Sequence, residues 1–245
     1  MLTQKEKDAH PPTLKNGNVN PEIEEMFKAG LHFAYKKTRR HPKMIDFIVG
    51  VKSNVEIFNL ELVYKKLQDA LTFVESLGAS NKVILWVGSK PAASAKIKEV
   101  ALGFSHSFVD QRWVGGALTN FKVIRSRVDY LEDLEEKLKS GELGGYTKQE
   151  RLKLSEKAKK LGDIFDGLRL LKKMPDALFV VDLNEEITAV KEARILGIPV
   201  VAILNSDGDP SFVDYPIPAN DNSSQSVGYI LDKVVGAYKR GVKKQ

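Results

Sequence analysis

Cysteine is absent from all 245 residues. That gap excludes disulfides, zinc–thiolate centres and thiol nucleophiles together, and it fits a reducing compartment. Long apolar runs are absent too: nothing approaches the roughly 20 residues that span a bilayer. The opening MLTQKEKDAHPPTLKNGNVN lacks the apolar stretch of a secretory signal and is broken by Pro11, Pro12 and Gly17. Residues 1–20 therefore read as a flexible leader. The compartment implied is a cytoplasm, or an organelle that resembles a bacterial one.

Enzyme signatures are missing in the same way. The four histidines (His10, His32, His41, His106) show no paired metal-ligand spacing, and no Gly-x-Ser-x-Gly elbow supplies a nucleophile. His32, beside Phe33, reads as a structural hydrogen-bonding residue, and His41 as an aid to anion contact. A P-loop needs a second glycine and a longer loop than Gly88-Ser89-Lys90 offers, and no Gly-x-Gly-x-x-Gly follows a strand. Asp182, Asp207 and Asp209 follow apolar strands. Asn205-Ser-Asp-Gly-Asp-Pro210 is composed of turn formers, which favours turn chemistry over a metal site. Neither a catalytic set, a metal nor a cofactor is expected.

What is present is an α/β rhythm on a basic chain. The net charge is +6, an excess that favours a polyanionic partner. Short strands at 47–51 and 55–59 flank Lys52-Ser53-Asn54, and Asn59 is placed to cap a helix that Gly78 ends. Val83–Val87, 177–184 and 198–205 are continuously apolar, as strands covered on both faces must be, and Trp86 within the first reads as core. Pro91 suits the first turn of the next helix, and a last helix covers 224–240. The pattern predicts a doubly wound parallel α/β sheet over 21–120 and 173–241, followed by a basic tail at 242–245. One insertion breaks the rhythm at 121–172. There Phe121, Ile124, Val128, Leu131, Leu134 and Leu138, then Leu154, Ala158, Leu161, Phe165 and Leu168, repeat at three- and four-residue spacing. With Thr147–Glu150 as a capping box, this predicts an antiparallel coiled-coil hairpin. Its charged outer faces serve either solvation or docking.

The basic features carry the functional expectation. Lys36, Lys37, Arg39, Arg40 and Lys43 place five positive charges in eight residues, either to bind several phosphates or simply as a solvated loop. Arg112 offers a guanidinium. Trp113 either stacks on an unpaired base or packs under its loop. Gly115 and Gly116 let the chain turn tightly into a helix whose start Thr119 and Asn120 can cap, with Lys122 in the first turn. RNA backbone and shape are the expected target.

RWVGGALTNFK (112–122) resembles the signature Arg-Trp-x-Gly-Gly-x-Leu-Thr-Asn of a small-subunit ribosomal protein family, "S two", in its bacterial form. AGLHF (29–33), GSKPAAS (88–94), MPDALFVVDLNEE (174–186), GIPVVAILNSDGDP (197–210) and DYPIPANDN (214–222) follow in the family's order. The chain departs at Ala34-Tyr35, where the family commonly has Gly-His, at Pro91, and at Asn205-Ser-Asp207. The resemblance implies a flavodoxin-like parallel α/β domain with a protruding coiled-coil hairpin, and a non-enzymatic structural role in the small ribosomal subunit. It also implies binding to ribosomal RNA and to neighbouring ribosomal proteins, including the multi-OB-fold protein that captures messenger RNA. The residues expected on RNA are Lys36, Lys37, Arg39, Arg40, Lys43, Lys90, Arg112, Trp113, Thr119, Asn120 and Lys122, around the turn at Gly115 and Gly116. The competing expectations are a phosphate-binding flavodoxin-like enzyme and a coiled-coil scaffold.

Overall fold

In the computed structural model residues 20–140 and 145–243 are described. The expected leader, except Asn20, residues 141–144 and the last two residues of the expected basic tail lie outside them. The three continuously apolar segments form β3 (Ile84–Val87), β5 (Ala177–Val181) and β6 (Val200–Leu204), and every residue in them is buried. Alternate strand side chains point to opposite faces, so burial at every position requires cover on both. With β4 (Phe108–Val109) and β7 (Tyr215–Pro218) they make a five-stranded parallel sheet ordered β4-β3-β5-β6-β7. Counting only these strands, the order is 2-1-3-4-5, the flavodoxin-like arrangement. Pro216 and Pro218 disguise β7 in the sequence. Proline lacks an N–H and is tolerated on an edge strand, which is where β7 lies.

Helix α1 (Pro21–Lys28) starts at Asn20, whose side chain accepts the Glu22 N–H at 3.0 Å. Asn59 starts α2 (Leu60–Ala79) in the same way, accepting from Glu61 and Leu62 at 3.0 and 3.4 Å. Gly78 does not end this helix, correcting the sequence expectation. It lies inside the last turn, pressed against α7 (Ser224–Val242), and a Cβ there would collide with the Tyr238 carbonyl. Gly241 makes the reciprocal approach to the Glu75 carbonyl. The two glycines let the helices cross at backbone contact. Pro91 is also displaced from its expected role, because α3 (Ser94–Gly103) begins after a turn in which the Lys90 carbonyl accepts the N–H groups of Ala93 and Ser94.

The first two strands stand apart from the parallel sheet. β1 (Ile48–Lys52) and β2 (Val55–Phe58) form an antiparallel hairpin that turns through Ser53 and Asn54 at φ +50° and +69°. Positive φ at both central residues gives the turn that matches strand twist. Helices α4 (Phe121–Ser140) and α5 (Lys148–Phe165) follow β4. Arg125, near the start of α4, donates to the Arg169 carbonyl beyond the end of α5, and Lys157 donates to the Tyr130 hydroxyl at 2.9 Å. The helices therefore run in opposite directions. Ile124, Val128, Leu131, Leu134, Ala158 and Phe165 are buried, and both halves of the Thr147–Glu150 capping box form.

Candidate nucleic-acid interface

Parallel strands place every segment that follows a strand at one edge. Gly88-Ser89-Lys90, the loop 110–120, Asp182, Asn205–Asp209 and Ala219–Asn222 all leave the carboxyl edge of the sheet. That is the edge where open α/β sheets hold ligands. The basic segment 36–43, a strap, is tied to this edge from outside. His41 N–H donates to the Ser206 carbonyl at 2.8 Å, and Tyr35 N–H to the Ser206 hydroxyl at 3.1 Å. The strap and the loop 110–120 thus border one edge, about 14 Å apart if three strand spacings separate β4 from β6.

Within the strap the charges divide. Lys36 and Lys37 are exposed and have no ion pair among the described residues. Arg39 is 61% exposed, lies over the Tyr35 ring at 4.4 Å and stands 3.6 Å from Asp207. Lys43 is also exposed but donates to Asp209 at 2.9 Å and to the Ser211 hydroxyl at 2.6 Å. Burial works against the Asp209 charge, yet Lys43 and the Ser211 N–H hold that carboxyl down at about 2. Arg40 turns inward to Glu56, a fully buried carboxylate, at 2.7 Å. The expectation that Arg40 faces RNA is corrected accordingly: its guanidinium compensates a charge that burial would otherwise leave unpaired.

Lys90 is corrected for the same reason. Its ammonium contacts Asp182 at 2.6 Å, Asp221 at 3.1 Å, Asn222 at 3.1 Å and the Tyr35 hydroxyl at 3.4 Å. Burial disfavours its charge, but the two carboxylates more than offset that and raise its pKa above the usual lysine range. Lys90 therefore plugs the crevice between β3 and β5, where the strand order reverses. Burial pushes the Glu186 and Asp207 carboxyls up at the same edge of the sheet. Among the described residues no group of three or more potential metal ligands forms.

The signature loop is organised around a residue that sequence reasoning missed. Glu192, on α6 (Ile187–Ile195), is 6% exposed and accepts five hydrogen bonds. One oxygen takes the Trp113 indole N–H at 3.0 Å and the Gly116 N–H at 2.7 Å. The other takes the N–H groups of Leu118 and Thr119 and the Thr119 hydroxyl, each at 3.0 Å. Burial alone would raise this carboxyl, but the donors, led by the Thr119 N–H, hold it below the ordinary glutamate range. Gly116 wraps the loop at φ +87°, where a Cβ would press on Asn120 at 3.2 Å. Gly115 needs no such conformation.

Trp113 is 8% exposed and its N–H is spent on Glu192, so of the two readings the sequence left open for it, stacking on a base or packing under its loop, the fold favours packing. Thr119 is corrected as well, since its hydroxyl serves Glu192 instead of capping α4. Asn120 starts that helix through its carbonyl, which accepts from Val123 and Ile124. Arg112 and Lys122, on the two flanks of the wrapped stretch, are exposed and have no ion pair among the described residues. No local signal marks Glu192, because it lies 73 to 79 residues from its donors.

The family described as Ribosomal protein S2 matches residues 26–241. A relative named small ribosomal subunit protein uS2 from Psychrobacter sp. (strain PRwf-1) is 38% identical over 228 residues, 93% of this chain and 87% of the relative. One of the same name from Dictyoglomus thermophilum is 38% identical over 219 residues, 89% of each chain. Another, from Thermus thermophilus, is 39% identical over 213 residues, 87% of this chain and 83% of the relative.

Proposed function

The chain belongs to the ribosomal protein S2 family, a structural constituent of the small ribosomal subunit, and we propose from this that its carboxyl edge lies against small-subunit ribosomal RNA. The observation that carries the reading is the gathering of exposed cations from separate segments along one edge: Lys36, Lys37 and Arg39 on the strap, Arg112 and Lys122 beside the loop. Lysine and arginine in that setting neutralise phosphates and displace counterions, which requires no base reading. Lys43 and Asn120 complete the contact set. Lys90, Arg40, Trp113 and Thr119 act behind it, holding the elements that present the cations.

The role is non-enzymatic: Lys90 fills the crevice where a flavodoxin-like enzyme would hold its ligand. Helices α4 and α5 form an antiparallel coiled-coil hairpin inserted between the two parts of the α/β domain, 21–120 and 173–241. Partners are ribosomal RNA and neighbouring ribosomal proteins, including the multi-OB-fold protein that captures messenger RNA. The setting is the ribosome of a bacterial cytoplasm or of a bacterial-type organelle. Gradient sedimentation of a lysate tests this directly. The chain co-migrates with small subunits at moderate salt, and its failure to do so overturns the reading.

A further inference from the structure

The loop 113–119 has the makings of a phosphate-binding turn: a positive-φ glycine and three backbone N–H groups converging on one point, with an indole N–H and a hydroxyl beside them. Its anion is already in place. We infer that Glu192 is the permanent intramolecular ligand of this loop, and that by occupying it the carboxylate positions Arg112 and Lys122 for RNA. The inference rests on the RNA-binding reading and assigns a positioning residue to it.

Three features support the assignment. The five donors divide between the two Glu192 oxygens, two on one and three on the other, so the loop engages both oxygens of the carboxylate. The donors span residues 113–119, and the two exposed cations flank that span, Arg112 directly before it and Lys122 three residues after it, in the first turn of α4. Fixing the span fixes where both cations begin. A buried negative charge inside the loop also disfavours entry of a phosphate, so RNA phosphates meet the flanking side chains instead of the loop backbone. Neither α6 nor the loop could hold this geometry alone, since Glu192 supplies every acceptor and the loop every donor.

The experiment measures binding of the full chain to small-subunit ribosomal RNA across a salt series, with the change in tryptophan emission on substitution at Glu192 as the reporter of the loop, since the only other tryptophan, Trp86, lies on β3 away from Glu192. Glu192→Gln keeps the size of the side chain but turns an amide nitrogen toward N–H donors. It lowers RNA affinity about tenfold at fixed salt, reduces the salt slope by one to two phosphate contacts, and shifts Trp113 emission to the red. Glu192→Ala opens a cavity that sodium formate refills, restoring blue-shifted emission and RNA affinity, whereas sodium chloride at equal ionic strength restores neither. If Glu192→Ala does not fold, Glu192→Gln with Glu192→Asp carries the test, the aspartate retaining more affinity than the amide. A Glu192→Gln chain that binds RNA with wild-type affinity and salt slope overturns the inference. So does a folded Glu192→Ala chain on which formate acts no differently from chloride. A wild-type chain that does not bind the RNA overturns the RNA-binding reading itself, a separate outcome.

Discussion

The loop 113–119 and the strap 36–43 look alike in sequence, because both concentrate groups that attract anions. In the fold they are opposites. The loop uses backbone N–H groups in a fixed arc, is closed around a buried carboxylate, and leaves its cations on the rim. The strap uses side-chain charges, some of which find carboxylates while Lys36 and Lys37 remain open to solvent. Density of positive groups therefore does not mark an external anion site. What decides is whether the chain itself supplies a carboxylate within reach.

Substitutions can break that contrast at points of decreasing leverage. The largest expected effect is Glu192→Ala, which orphans four N–H groups and a hydroxyl at once and lowers stability by about 4 kcal/mol in urea titration. Next come the inward-turned cations. Arg40→Ala strands Glu56, and Lys90→Met strands Asp182 and Asp221, each costing about 3 kcal/mol. Arg40→Ala should leave the salt slope of RNA binding nearly unchanged, and a slope reduced by a full phosphate contact would place Arg40 back on the RNA.

Acid sharpens the comparison further. Burial lowers His106 to about 4. The Trp86 indole donates to its Nδ1 at 3.2 Å, and the Tyr238 hydroxyl donates to the Lys82 carbonyl at 2.8 Å. The proton of the neutral ring therefore sits on Nε2, facing the Tyr238 oxygen at 3.4 Å. The unfolded chain takes up a proton near 6.5 and the folded chain only near 4, so stability is full above about pH 6.5 and declines toward pH 4. Glu192, held below its ordinary value, adds a second loss beneath about pH 4.5. His106→Gln should shrink the upper limb to the part that buried His32, also held below its ordinary value, contributes, and leave the lower limb in place, as read from urea midpoints across pH. The smallest change is the double substitution Lys36→Ala, Lys37→Ala. Stability moves by less than about 0.5 kcal/mol, while the salt slope of RNA binding falls by about one contact per lysine.

Legibility in the sequence followed the range of the interactions. β3, β5 and β6 were readable because burial on both faces leaves an unbroken apolar run, and the Asn59 cap and the Thr147–Glu150 box because their partners lie within three residues. β7 was hidden by its prolines, and the role of Gly78 by its partner on a helix about 160 residues away. The candidate site shows the same split. Lys36, Lys37, Arg112 and Lys122 stand out as surface charge and are found there. The inward turn of Arg40, Lys90 and Trp113 depends on Glu56, Asp182 and Glu192, acids that look like ordinary solvated charges along their own segments.

The backbone-close crossing of α2 and α7 also sets a timetable. Leu67, Leu71, Val74 and Leu77 on α2 are buried among elements that include β7 and α7, both of which emerge late in synthesis. A ribosome that has made the first half of the chain has made an apolar helix face without its cover. The native packing of that half must wait for residues 215–242, so contacts of high sequence separation govern the pace of folding. Nascent chains arrested before residue 224 should remain protease-sensitive in α2, and those extended past residue 242 and clear of the exit tunnel should become resistant.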